Sequence, residues 1–292
     1  MQKHLQKLLL IVAMMLVPWV TQAQTLNDYR FETGVDTSKW ITLSSSATFI
    51  WNSYQDDQAS SVYNLGFTFP FAEGSYSQFS VSSNGIFKLG STAAVSTTTG
   101  GQFTSSYYNT SLPKICGIAR DLGTGSNGYV KYEMTGTAPN RVFVCEYAMG
   151  YTYGSSYTGD VKWQVQLHED SSKVVIVYGP TAPSTTPSSF QTGLGSAPDD
   201  IIILNPSTHA AIYSNGPHST TYSTWHGANR YYSFTRMPVL CAKPVSATVS
   251  NLGVNSADIS WVDTTDAAIW LIRLDSSGVT GTVTDVYDTT IS

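Results

Sequence analysis

Short runs in which apolar and polar residues alternate constrain the fold of this 292-residue chain more than any other feature. Alternation with a period of two is typical of half-buried β-strands, and turn-forming residues separate the runs. Outside the N-terminus, no apolar pattern with the period of a helix lasts longer than two turns. We therefore predict an all-β protein built as an antiparallel β-sandwich. The runs are Ser61–Thr68, Gln78–Ser83, Gly85–Leu89, Lys114–Ala119, Tyr129–Met134, Arg141–Tyr147, Asp160–His168, Lys173–Tyr178, Ile201–Leu204 and Tyr231–Thr235.

Three turn sequences join or precede these runs. Asn84-Gly85 lies between two of them, and Asn-Gly favours a tight hairpin because both of its residues tolerate positive φ. Asp170-Ser171-Ser172 joins the next pair, and Ser126-Asn127-Gly128 precedes the run at Tyr129. We expect hairpin turns at all three positions.

The N-terminus has the three parts of a secretory signal peptide. Lys3 and Lys7 form a basic start, Leu8–Val20 is apolar, and Thr21-Gln22-Ala23 offers small residues before a cut at Gln24. The apolar run is too short for a transmembrane helix, which needs about 20 residues. We predict that residues 1–23 are a signal peptide and that the protein is secreted or displayed on the cell surface.

The charge balance excludes some partners. Charged residues make up 12% of the chain, with 15 Lys+Arg against 20 Asp+Glu, whereas about 25% is usual. A nucleic-acid partner is not expected, because the chain lacks the basic excess that phosphate backbones require. No segment after the leader approaches 18 apolar residues, so we expect no membrane span in the mature chain.

A change of pattern near Met237-Pro238 predicts a domain boundary. Beyond it, alternating runs occur at Ala247–Leu252, Ala257–Trp261 and Ala268–Leu274. The order of proline, strand, short turn and strand ending in Trp261 resembles the start of a fibronectin type III domain. Such immunoglobulin-like sandwiches take roughly 100 residues. We therefore predict one β-sandwich domain over residues 24–238 and a partial fibronectin type III domain over residues 239–292.

Two motifs in the first domain are distinctive. An aromatic strand at Leu65–Phe71 precedes a Val-Ser-Ser-Asn-Gly hairpin within Phe79–Leu89, and Gln-Thr-Gly-Leu-Gly occupies Gln191–Gly195. With the strand patterns between them, these motifs resemble nidogen-like β domains over about Tyr29–Thr235. The resemblance implies a bacterial surface or secreted protein with fibronectin type III repeats and a C-terminal sorting domain. It also implies adhesion or matrix interaction.

Some motifs of the chain match those of enzymes in part. Gly123–Gly128 matches GxGxxG, but a strand pattern follows it where a dinucleotide site needs a helix, so we predict a hairpin turn. His168-Glu169 begins HExxH without the second histidine. A Ser/His arrangement around His209, His218 or His226 is less expected than chance proximity to abundant serines. We therefore predict no catalytic residue and no enzymatic activity.

Carboxylate pairs are the candidate metal ligands. Asp56-Asp57 and Asp199-Asp200 supply the oxygen ligands that Ca²⁺ takes in loops, and Asp121 with Asp160 is a weaker pair. Solvated turns are the favoured explanation, so Ca²⁺ is kept only as an alternative and no other cofactor is expected. No Cys/His spacing indicates a zinc site.

Aromatic residues in Gly/Ser-rich loops are the candidate ligand-binding residues. Tyrosine and tryptophan present flat faces that stack on sugars together with a polar tip, and they are frequent in protein interfaces. For the strand members Tyr129, Trp163 and Tyr178 we expect core packing instead. The candidates for contact with an extracellular glycan or protein are Tyr107, Tyr108, Tyr151, Tyr153, Tyr157 and Trp225.

Two cysteines, Cys116 and Cys145, fall on predicted strands. An exported chain can join them in a disulfide, and two packed thiols are the equal alternative. For the whole chain we predict a secreted or cell-surface, non-enzymatic adhesion or matrix-interaction protein. The alternative is a glycan-binding accessory module of a larger secreted hydrolase or peptidase.

Overall fold

The computed structural model describes residues 24–95, 102–151 and 160–237, and two further strands at 246–250 and 258–262. The first three segments hold fifteen strands and two short 3-10 helices, Leu26–Asp28 and Thr37–Lys39. The strands are β1 (Tyr29–Val35), β2 (Thr48–Trp51), β3 (Tyr63–Phe71), β4 (Gly74–Val81), β5 (Ile86–Leu89), β6 (Lys114–Ala119), β7 (Leu122–Gly123), β8 (Tyr129–Thr135), β9 (Val142–Tyr151), β10 (Val161–His168), β11 (Lys173–Tyr178), β12 (Gln191–Ala197), β13 (Asp200–Leu204), β14 (Ala211–Ser214) and β15 (Arg230–Arg236).

Two antiparallel sheets pack together as a sandwich, which confirms the predicted fold class. The first sheet has the order β1-β15-β11-β10-β9-β8-β2, and β7 pairs with the far end of β9. The second sheet has the order β14-β13-β12-β6-β5-β4-β3. The unit that contains both sheets spans Ala23–Met237.

All ten predicted runs fall on strands, and two of the three predicted hairpins form. Gly85 has a φ of +84° in the turn between β4 and β5, and a Cβ there would lie 1.7 Å from the Ile118 carbonyl oxygen. Asp170–Ser172 turns between β10 and β11. The hairpin predicted at Gly123–Gly128 was wrong, because β7 and β8 each pair with β9 rather than with each other. The segment is a tight turn, in which the Gly128 amide donates to the Thr124 carbonyl at 2.7 Å, and strand β8 follows it.

The core between the sheets contains a close contact between an indole and a glycine. Trp163 of β10 is fully buried, as predicted, and stacks on Tyr147 of β9 with ring centroids 4.6 Å apart. A Cβ added to Gly117 of β6 would lie 2.1 Å from the Trp163 ring. Glycine weakens a strand, and here its missing side chain makes room for the indole.

Two tyrosine hydroxyls connect the sheets. Tyr147 donates to the Ile86 carbonyl oxygen of β5 at 2.9 Å, and Tyr178 donates to the Gly117 carbonyl oxygen of β6 at 2.7 Å. The register between β6 and β12 shifts beside Gly117, as a β-bulge does. These hydrogen bonds cross a buried, low-dielectric layer, so they add direction to an otherwise apolar contact.

Cys116 and Cys145 are buried thiols, and no disulfide joins them. Cys145 packs in the core between the sheets, whereas Cys116 packs with Ile86 and Phe103 in a separate cluster. The second of the two alternatives therefore holds. Strand alternation explains it, because the side chain of Cys116 points to the opposite face of β6 from the neighbours that enter the core.

The strands β16 (Ser246–Ser250) and β17 (Asp258–Val262) form an antiparallel pair in which Ala247 lies opposite Trp261. They fall on two of the three runs predicted after the domain boundary. The third run, Ala268–Leu274, lies outside the described residues. The fibronectin type III domain therefore stays a prediction.

We expect Gly117→Ala to destabilise the domain by about 1–3 kcal/mol, because the added methyl group overpacks the Trp163 site. The measurement is the free energy of unfolding in denaturant. Gly216→Ala is the matched control, since nothing lies within 4 Å of a Cβ at that position. Equal stability of the two variants would contradict this account of the core.

Candidate functional site

Three of the predicted ligand-binding aromatics lie in described segments, and all three are half-buried. Tyr108 packs against the cluster that contains Cys116. Trp225 packs on the inter-sheet core, with its ring edge-on to Tyr178 at 5.2 Å. The Tyr107 carbonyl oxygen accepts a hydrogen bond from Lys114 at 3.0 Å. The side chains of the other candidates, Tyr151, Tyr153 and Tyr157, lie outside the described residues.

Two of the three candidate catalytic histidines, His226 and His209, belong to a structural network instead. His226 is buried and stacks on Tyr178, with centroids 4.3 Å apart. Its Nε2 lies 2.9 Å from the Thr192 hydroxyl, and its Nδ1 lies 2.8 Å from the Tyr232 hydroxyl. Tyr232 also contacts Nδ1 of His209 at 3.0 Å. Within the described residues, no serine and carboxylate flank any of these histidines.

The hydrogen-bond directions in this network fix the protonation of His226. Thr192 donates to the Gly117 carbonyl oxygen at 2.6 Å, so it accepts from Nε2–H of His226. Nδ1 then carries no proton and accepts from Tyr232. A second proton on the ring would require the Tyr232 hydroxyl to turn and accept from Nδ1 of His226. Burial, and secondarily the charges of His209 and Arg230, lowers the pKa of His226 well below its usual 6.5.

We expect the domain to lose stability as the pH falls from about 7 to 5. His226 stays neutral in the folded chain but gains a proton near pH 6.5 when the chain is unfolded. Protonation therefore stabilises the unfolded chain as the pH falls below 6.5, and the free energy of unfolding decreases. Burial also lowers the pKa of His168, to about 4. Melting temperatures across this range provide the measurement.

Variants separate the two histidines. His226→Gln should flatten the pH dependence, and His168→Gln should flatten it by a comparable or smaller amount. The melting temperature of each variant is compared with that of the same variant at pH 8. A general loss of stability then does not affect the comparison. A His226→Gln variant with an unchanged pH dependence would contradict this assignment.

An acidic cluster brings together three carboxylates. Oxygen atoms of Asp56, Asp57 and Asp121 lie within 4.8 Å of one another. Asp57 accepts from the Asn84 amide at 2.8 Å. Burial and the charge of Asp57 raise the pKa of Asp56, and burial and both neighbours raise the pKa of Asp121. The predicted pair Asp56-Asp57 thus has a third member, and Ca²⁺ binding there stays a prediction.

The other predicted carboxylates have different surroundings. Asp160 lies outside this cluster, and its Oδ2 accepts from the Ser184 amide at 2.7 Å. Asp200 accepts from the Leu26 amide at 2.9 Å and from the Ser196 hydroxyl. Asp121 therefore joins Asp56 and Asp57 rather than the expected Asp160, because β7 carries the chain after Asp121 toward Asp56, which bridges Gly123.

Asp121→Asn should raise the melting temperature at pH 7 in the presence of a chelator. The pKa of Asp121 is raised in the folded chain, so ionisation of this carboxyl group opposes folding. The destabilisation is absent below pH 3.8, the pKa in the unfolded chain, and appears as the pH rises. The gain should disappear near pH 3.5. Asp170→Asn, at an exposed hairpin carboxylate, is the control and should leave the melting temperature unchanged. A lower melting temperature for Asp121→Asn would refute the repulsion.

The clearest candidate binding site is a groove on the outer face of the first sheet. It has a volume of about 260 Å³ and lies between strands β8–β10 and two loop segments. We call it the outer-face groove. Its lining residues are Trp40, Thr42, Leu43, Tyr129, Lys131, Glu146, Lys162, Pro180 and Thr181.

Strand alternation brings the polar side chains of the groove together. Tyr129 and Lys131 are two apart on β8, and Glu146 of β9 lies opposite Lys131. The Lys131 ammonium lies 4.8 Å from the centre of the Tyr129 ring. Residues 39–41 cross this sheet face, where Gln164 of β10 bonds to both the amide and the carbonyl of Ile41. This crossing carries Trp40 to the groove.

A buried carboxylate holds the floor of the groove. Glu146 is 4% exposed. Its Oε1 accepts from the Tyr129 hydroxyl at 2.6 Å and lies 3.6 Å from the Lys131 ammonium, and its Oε2 accepts from Gln164 at 2.8 Å. Burial and the hydrogen bond to this carboxylate raise the pKa of Tyr129 far above its usual 10, so the phenol stays neutral.

This groove was not among the predicted sites. Tyr129 was expected in the core, but it lies half-buried on the outer face, and the neighbouring Val130 enters the core instead. The alternation of Tyr129, Lys131 and Glu133 against Val130 and Tyr132 already carried this signal. No strand alternation indicates the position of Trp40, because a loop that crosses the sheet face carries this residue to the groove.

Comparison with known proteins identifies the family. The family model described as NIDO related matches residues 28–236, which is more than half of the chain, so the protein belongs to that family. No curated protein and no solved structure matches the chain. In the part of the chain that the structure describes, no helix has the length and apolar character needed to cross a membrane.

Proposed function

We propose that this chain is a secreted or cell-surface binding protein without enzymatic activity, and that it contacts an extracellular glycan through the outer-face groove. Adhesion or matrix interaction is the role that such a module serves. The observation that carries the proposal is the groove itself, in which an indole and a phenol ring share one cavity with two ammonium groups and a fixed carboxylate.

The chemistry of the groove suits a sugar better than an apolar ligand. Aromatic faces pack on the C–H surface of a pyranose ring, while ammonium and hydroxyl groups bond to its oxygens. Pockets for drug-sized ligands measure roughly 300–1,000 Å³. A groove of about 260 Å³ is suited to one sugar ring, with the rest of the chain outside.

The groove also lacks the features of a catalytic centre. Both oxygens of Glu146 are held by protein donors. The other described lining residues include no second carboxylate to form an acid/base pair. An accessory role beside a separate catalytic domain would use the same groove, and it remains the second proposal for the chain.

Trp40→Ala should weaken glycan binding by about tenfold or more, as truncation of a central aromatic contact does. The purified mature chain is screened on a glycan array, and affinities for the best ligands are measured by calorimetry. Tyr54→Ala is the control, because Tyr54 is 77% exposed and does not line the groove. Melting curves check that both variants are folded.

A third variant tests the earlier candidates. Replacing Tyr151, Tyr153 and Tyr157 together by alanine addresses the predicted binding loop. Loss of binding in this variant with full binding by Trp40→Ala would assign the site to the loop and refute the groove. Absence of binding to any glycan by the wild-type chain would refute glycan recognition altogether.

A further inference from the structure

We infer that the outer-face groove selects an anionic sugar, a pyranose that carries a carboxylate or a sulfate ester. The inference rests on the proposed glycan binding and specifies the ligand class of that site. The sequence as a whole gives no hint of it, because the chain has a net charge of −5.

The charges that line the groove do not cancel. Lys131 and Lys162 contribute two positive charges and Glu146 contributes one negative charge. The Lys131 ammonium lies 3.6 Å from Oε1 of Glu146, so this carboxylate offsets the charge of Lys131. Among the described residues, no carboxylate lies within ion-pair distance of Lys162. The groove therefore presents one uncompensated ammonium group.

Glu146 does not oppose an anion as an exposed carboxylate would. It is buried, and the Tyr129 hydroxyl, the Gln164 amide and the Lys131 ammonium surround its oxygens. Its role is to position Tyr129 and Lys131. The Lys131 ammonium also lies against the face of the Tyr129 ring. The ring face carries partial negative charge and attracts the cation.

Lys162 lies where a bound sugar would meet it beside the aromatic wall. Its side chain is half-buried on β10, and its Cβ lies close to Gly179, to which the Trp40 ring edge is also close. A Cβ at Gly179 would lie 3.0 Å from the Lys162 Cβ and 3.8 Å from the Trp40 ring. The Trp40 ring edge and the base of the Lys162 side chain thus lie at one corner of the groove.

An anionic group on the sugar would complete this corner. A hydrogen bond between an ammonium and a carboxylate or sulfate is charge-assisted and is roughly twice as strong as a neutral one. Partial enclosure strengthens it further, because the effective dielectric constant is lower than in bulk water. A neutral pyranose would stack equally well but would leave the charge of Lys162 without a counter-charge.

The test compares anionic sugars with a neutral ester of the same backbone. The probes are short oligomers of galacturonic acid, the same oligomers as methyl esters, and sulfated galactose oligomers of equal length. Calorimetry with the mature wild-type chain should give at least about tenfold tighter binding of one anionic series than of the methyl esters. The preference should shrink as salt increases, because exposed charges are screened.

A charge variant assigns the preference to the groove. Lys162→Gln should reduce binding of the anionic oligomer by about fivefold or more, with little change for the methyl ester. Lys173→Gln is the control, since Lys173 is a half-buried lysine on neighbouring β11 outside the groove. Both variants keep the fold, as melting curves can verify.

The outcomes separate this inference from the proposed function. Equal binding of acid, ester and sulfated forms, with loss on Trp40→Ala, would overturn the anionic preference and leave glycan binding intact. Preference for the anionic forms that survives Lys162→Gln would overturn the assignment to this corner. Binding by none of the probes, together with a glycan array that shows only neutral ligands, would also overturn the anionic preference.

Discussion

The contact between Trp163 and Gly117 lets the two sheets pack closely around a buried indole. A large indole can lie flat between two sheets only where the opposite strand has no side chain, and β6 provides that position at a bulge. The freed Gly117 carbonyl oxygen then accepts from both Tyr178 and Thr192. Thr192 in turn orients His226, so the polar network at this end of the domain depends on the same glycine.

Much of the fold could be predicted because strand alternation is a local property. The ten predicted runs form strands, and Asn84-Gly85 and Asp170–Ser172 form hairpins. Strand β1 was missed although Tyr29, Phe31 and Thr33 alternate with polar residues. Strand β12 is rich in glycine, so propensity does not indicate it, and tertiary pairing with β6 and β13 defines it.

The candidate site was harder to predict, because it depends on which residues meet rather than on residue type. Loop tyrosines were the expected ligand contacts, but Tyr108 and Trp225 pack against hydrophobic clusters. The groove is formed by distant parts of the chain, residues 40–43, 129–131, 146, 162 and 180–181. Only the alternation around Tyr129 was visible locally, and the same alternation had been attributed to the core.

The pairing of the first strand with the last has a mechanical consequence. Tyr29 lies opposite Arg236, and the Gln24 side-chain amide donates to the Met237 carbonyl oxygen at 2.6 Å, so the segments that enter and leave the domain are side by side. A pulling force applied through these segments would peel β1 from β15 one residue pair at a time. Extension would therefore start at the ends of the domain, before the tension reaches residues 40–43 and the strands β8–β10 that line the groove.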